Sequence, residues 1–147
     1  MKPLQFFLAF FLTCVAFAGC KTEKEPIQYG KDACAHCKML TMDPRFGAEI
    51  ITEKGKIFKF DDINCLISFV NDPLNKSANV AETFVIDYSQ PQTLIPAKDA
   101  FYVYSDLIKS PMASGVAAFA TTESRYEQQQ NWQGTELTWT ELNSKFK

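Results

Sequence analysis

The chain has 147 residues, with 15 lysines and arginines, 17 aspartates and glutamates and a single histidine, for a formal net charge of −2. Acids and bases are interspersed, so there is no basic stripe for a nucleic acid to bind. Thirteen phenylalanines, five tyrosines and two tryptophans provide enough apolar bulk for one core that does not depend on disulfides.

Met1-Lys2-Pro3 leads into the apolar run FFLAFFLTCVAFA, which ends at Ala18-Gly19-Cys20. The run is shorter than the ~20 apolar residues of a spanning helix and stops at a small-residue processing site, so residues 1–19 read as an export signal. Small residues directly before Cys20 resemble the bacterial lipobox, although Phe17 stands where leucine is usual. That resemblance implies an acylated Cys20 and a domain anchored to a membrane without spanning it. Residues 20–32 then read as the lipidated cysteine and a flexible linker, and residues 33–147 as one domain.

Within that domain, Gly47 to Glu53 has the pattern of a strand. Lys54-Gly55-Lys56 supplies a hairpin turn, and Ile57-Phe58-Lys59-Phe60 returns. Asp61-Asp62 caps a helix with apolar positions at Ile63, Leu66, Ile67 and Val70. A polar loop over 74–78 and a strand over Thr83 to Tyr88 follow, broken at Ser89-Gln90-Pro91-Gln92. The pattern then repeats: strands at 100–105 and 115–120, a helix capped by Thr121 or Thr122, and a last strand over Leu137 to Thr140. The expected fold is α+β, built from two ββαβ halves. Aligning Ala48 with Ala100 and Phe60 with Phe119 leaves seven extra residues in the second hairpin loop, which includes Asp106 to Pro111 and Met112. A long loop of this kind is a place to display a binding function.

Of five cysteines, Cys14 leaves with the signal and Cys20 is assigned to lipid, so Cys34, Cys37 and Cys65 remain. Three thiols in an oxidising compartment cannot all pair within one chain, which favours a ligand role for at least one. Cys65, alone in its helix, reads as a small core residue. The stretch Cys34-Ala35-His36-Cys37-Lys38-Met39 gathers two thiols, the histidine and a thioether. As a zinc half-site it lacks a second ligand pair. As a thioredoxin-like redox pair it lacks the preceding strand and following helix. As a haem attachment sequence with lysine as axial ligand, it lacks a further histidine. A structural Cys34–Cys37 disulfide also fits the spacing. Copper(I) is the soft ion that also uses thioethers, and Met39, Met42 and Met112 all fall in loops.

Cys-x-x-Cys-x-Met, the Ala48-Glu49-Ile50-Ile51 strand, Phe60 to Leu66, Asp87-Tyr88, Ala100 to Val103 and Ser110 to Phe119 together resemble the NosL family. Its members are lipoprotein accessory proteins of nitrous oxide reductase that bind copper(I) in the periplasm. The resemblance implies a non-enzymatic copper(I) chaperone that works with copper-delivery and nitrous oxide reductase maturation proteins. By the same resemblance, Cys37 and Met39 match a Cys-Gly-Met core, Asp61 a Phe-Asp-Asp element and Met112 a Pro-Met loop. Lys38 stands in the place of the glycine. His36 or Cys34 then completes the metal shell. The competing readings are a CxxC thiol-disulfide oxidoreductase and a lipoprotein with a structural metal.

Overall fold

A four-residue connection, Glu53 to Lys56, turns Ala48–Thr52 (β1) back into Ile57–Phe60 (β2), with Gly55 at φ +77° where side chains are disfavoured. The computed structural model describes residues 22–147, so residues 1–19, expected from the sequence to be an export signal, and Cys20 and Lys21 lie outside the described residues. The hairpin register sets Ala48 opposite Phe60 and Ile51 opposite Ile57. Helix α1, Ile63–Asn71, starts immediately afterwards because Asp62 Oδ1 accepts the Ile63 N–H at 2.6 Å. Pro73–Ala78 forms a 3-10 segment in place of the expected polar loop. Val80–Ile86 (β3) returns antiparallel to β1, and Leu94–Pro96 (β4), which the sequence pattern did not show, completes a sheet ordered β2-β1-β3-β4.

The second half repeats the plan. Phe101–Tyr104 (β5), Val116–Phe119 (β6), helix α2 at Thr122–Trp132 and Thr135–Leu137 (β7) form a sheet ordered β6-β5-β7. Both halves therefore run strand, strand, helix, strand, with the first strand central among those three, as the α+β reading expected. Asp87 bridges Ala118, and the Tyr88 N–H donates to the Ala118 carbonyl at 2.8 Å, which joins the two sheets. Between them lies the main core, where Ile50, Phe60, Leu66 and Val85 meet Tyr102, Val116 and Leu142.

Three expectations need correction. Leu137 to Thr140 is not one strand: β7 ends at Leu137 and Trp139–Lys145 is a third helix, α3. Thr138 and Glu141 form a reciprocal capping box at its start, and Leu142 is fully buried on its inner face. On α1 it is Phe69 that is buried, while Val70 is 37% exposed. The chain from Thr22 to Asp32, read as a linker, is packed onto the outer face of the first sheet. Ile27 is buried there among Ile51, Phe84, Ile86 and Leu94, so close that a Cβ on Gly47 would lie 2.9 Å from its Cδ1.

Polar contacts hold this strap at both ends. Lys24 Nζ donates to the Leu94 carbonyl at 2.7 Å, and Lys59 Nζ reaches Asp32 at 2.8 Å and the Pro26 carbonyl at 3.0 Å. The Glu25 N–H donates to Glu49 at 3.1 Å, and burial under the strap pushes the Glu49 carboxyl up to about 6. Replacing Ile27 with alanine is expected to cost about 3 kcal/mol in urea unfolding, as for a buried core side chain. A loss within the scatter of surface substitutions, about 0.5 kcal/mol, would restore the linker reading.

Candidate metal centre

Residues 33–40 form a tight closed loop. Ala33 bridges Leu40, the Cys34 N–H donates to the Met39 carbonyl at 2.8 Å, and the Lys38 N–H returns to the Cys34 carbonyl at 3.0 Å. Closing so short a loop requires a left-handed residue. Lys38 takes that role at φ +67°, with its Nζ held on the Ala35 carbonyl at 2.6 Å. Lysine thus adopts a backbone that glycine would adopt without strain. The Ala35 N–H then donates to the Lys59 carbonyl on β2 at 2.8 Å, which docks the loop on the first sheet. Docking turns Cys34 inward to 1% exposure and leaves Cys37 half-buried at the rim.

Cys65, on the first turn of α1 and 3% exposed, meets them from below. The sulfurs of Cys34, Cys37 and Cys65 all lie within 4.8 Å of one another. Cys65 was read from the sequence as structural, and the structure instead makes it the third member of the cluster. The signal that pointed to it was the odd thiol count, together with its place just after a helix cap.

The three thiols are electrostatically unequal. A hydrogen bond from the Cys65 thiol does most to lower the Cys34 pKa, against the opposing effect of burial. Backbone N–H groups of Asp61, Cys37 and His36 add to it, and the thiol is pushed down to about 4. Burial raises Cys37, and donation to Cys34 is the first cause that raises Cys65. The ionised form of Cys34 is thus favoured by the Cys65 thiol and three backbone N–H groups, while the other two thiols hold their protons more tightly. Asp61 lies beside it, pushed up to about 6 by burial and by the Cys34 charge, and its Oδ1 has no hydrogen-bond partner.

The long 105–115 loop comes back onto the same place. Met112 donates its N–H to Asp62 Oδ2 at 3.0 Å, and its carbonyl accepts from Asn64 Nδ2 at 2.9 Å. Ser114 Oγ donates to Asp62 Oδ1 at 2.7 Å. The residue that caps α1 is thus Asp62, and it also anchors the Met112 loop, whereas Asp61 faces the thiols. Met112 is half-buried against the core cluster that contains Cys34 and Cys65.

The other sequence candidates lie outward. Met39 is 57% and Met42 65% exposed, and His36 is exposed and outside the thiol group. Three clustered sulfurs make a soft site. Structural zinc is four-coordinate, and this cluster of described residues offers three members.

A family model described as NosL matches residues 27–146. Among solved structures, the chain is similar to the crystal structure of the copper chaperone NosL from Shewanella denitrificans. The TM-score is 0.70 at 23% identity, over 83% of this chain and 96% of that one. No curated protein matches the sequence.

Lys38→Gly is expected to stabilise the metal-free domain by about 1 kcal/mol in urea unfolding, by relieving the left-handed backbone. A clear destabilisation would mean that the Nζ bond to Ala35 outweighs the strain.

Proposed function

The chain belongs to the NosL family, and we propose that it is a copper(I) chaperone of the cell envelope, anchored through an acylated Cys20, that delivers copper to the machinery building the copper centres of nitrous oxide reductase. The observation that carries the reading is the cluster of Cys34, Cys37 and Cys65, three sulfurs within 4.8 Å inside a packed domain. Thiolate and thioether ligands suit copper(I), and a three-sulfur cluster falls one short of the four ligands of structural zinc. The similar solved protein is itself named a copper chaperone.

Roles divide by depth. Cys34 and Cys65, both buried, form the floor of the site. Cys37, half-buried at the rim, and exposed Met39 and half-buried Met112 provide sulfurs that an incoming partner reaches first. Taking up the cargo requires protons to leave Cys37 and Cys65, since only the deprotonated sulfur ligates strongly. The positive charge of copper(I) offsets one of the two thiolate charges so created, and the backbone N–H groups around Cys34 stabilise part of the remainder. Release reverses the order: a partner's thiolate or thioether enters at the rim, and Cys37 and Cys65 regain their protons as the metal leaves.

The oxidoreductase alternative is poorly supported by the same geometry. A redox CxxC exposes its first cysteine as an activated nucleophile, whereas here Cys34 is 1% exposed and the accessible Cys37 is raised.

Anaerobic copper(I) titration against a competing chelator tests the assignment. Cys37→Ser and Cys65→Ser are each expected to weaken binding at least roughly tenfold, Met112→Leu less, and His36→Ala not at all. Equal affinity across all four would reject the site.

A further inference from the structure

Thr22 and the β1–β2 tip meet at one end of the domain. The Thr22 hydroxyl fills the space beside Gly55 that a Cβ there would need. The same tip is tied to the end of the 3-10 segment, because the Glu53 N–H donates to the Asn79 carbonyl at 2.9 Å. Around this junction Lys54, Lys56 and Lys76 are exposed, and Leu74 projects at 87% exposure, more than any other large apolar side chain described. Glu53 and Glu82 line the cleft beside Thr22, Glu23 follows Thr22, and Asp72 caps the 3-10 segment.

We propose that this end is the membrane face of the protein: the β1–β2 tip and the 3-10 segment rest on an anionic phospholipid surface, with the lysines among the headgroups and Leu74 reaching beneath them. The proposal rests on reading Cys20 as acylated. Two extended residues span at most about 7 Å, and Thr22 already lies against the hairpin at Gly55. An acyl chain on Cys20 therefore holds the hairpin at the headgroups and leaves no tether on which the domain stands away from the bilayer. This replaces the sequence expectation of a flexible linker over residues 20–32.

Chemistry and tether agree. A lysine near an anionic leaflet contributes about a factor of five in binding, and an unpartnered leucine rimmed by lysines is an interfacial anchor. With the lipid anchor holding the surface at high effective concentration, even these modest terms fix an orientation. That orientation bears on copper transfer. Ala35 and Lys38 of the metal loop border the same cleft as Lys54, Lys56 and Leu74. The thiol site is therefore carried on the flank of the membrane face, open to a partner that is itself at the bilayer.

The test uses the full lipidated protein in lipid nanodiscs, with hydrogen exchange read by mass spectrometry. In discs containing phosphatidylglycerol, the amides of 53–56 and 74–79 are expected to exchange roughly tenfold more slowly than in phosphatidylcholine discs, with 106–112 unchanged. Lys54→Glu with Lys56→Glu is expected to abolish that difference. Equal exchange in both discs, or protection centred on 106–112, overturns the placement even though the intact mass shows acylation. An intact mass without acyl chains on Cys20 overturns the anchoring reading itself. Protection of this end by an added acidic protein but by neither disc assigns the face to a protein and likewise overturns the proposal.

Discussion

The buried carboxylate of Asp62 holds the two halves of the molecule together at the point where the sulfurs gather. Its Oδ1 accepts from Ile63 at 2.6 Å and from the Ser114 hydroxyl at 2.7 Å, and its Oδ2 accepts from Met112 at 3.0 Å. A buried carboxylate with donors on both oxygens is well accommodated, whereas an orphaned buried polar group costs about 1–3 kcal/mol. One side chain thus fixes both the first turn of α1, which carries Cys65, and the loop that carries Met112. Its neighbour Asp61 shows the contrast. Burial and then the neighbouring Cys34 charge push its carboxyl up to about 6, and its Oδ1 has no partner.

Charge explains why the thiols differ. Two thiolates about 4 Å apart repel by about 4 kcal/mol at an effective dielectric of 20. A metal-free trio of full thiolates would therefore be heavily strained. Concentrating the negative charge on Cys34, where three backbone N–H groups and the Cys65 thiol converge, avoids that strain and keeps the other two sulfurs protonated. The ligands are stored close together without the full thiolate charge, one unit of which a bound copper(I) would offset. The local backbone contributes too: Lys38 at φ +67° and Ala113 at φ +55° hold left-handed turns on the two loops that flank the site.

Much of the fold was legible because it is written in local chemistry. Lys54-Gly55-Lys56 marks a hairpin, the paired aspartates before Ile63 mark a helix start, and the repeat of these signals after residue 100 marks two similar halves. Nonlocal burial was less legible. The 22–32 segment has a linker's composition apart from Ile27 and Tyr29, and only the sheet face it covers shows that Ile27 is core. Helix α3 was hidden because Leu137-Thr138-Trp139-Thr140 has strand propensity, which the Thr138 and Glu141 capping box overrides.

The candidate site was half legible. Cys34 and Cys37 announce themselves by spacing, and Met112 by its loop, but sequence proximity also drew in His36, whose ring the loop turns to solvent. Cys65 was passed over because a lone helical cysteine is usually core, and it is core at 3% exposure. What the pattern could not show is that the 33–40 loop folds down onto that turn of helix. The central claim, a sulfur-only copper shell that includes Cys65, is most directly tested by X-ray absorption at the copper edge of the anaerobically loaded protein. The account predicts sulfur scatterers alone, with the sulfur count falling in Cys65→Ser. An imidazole scattering pattern, or a shell unchanged in Cys65→Ser, would contradict it.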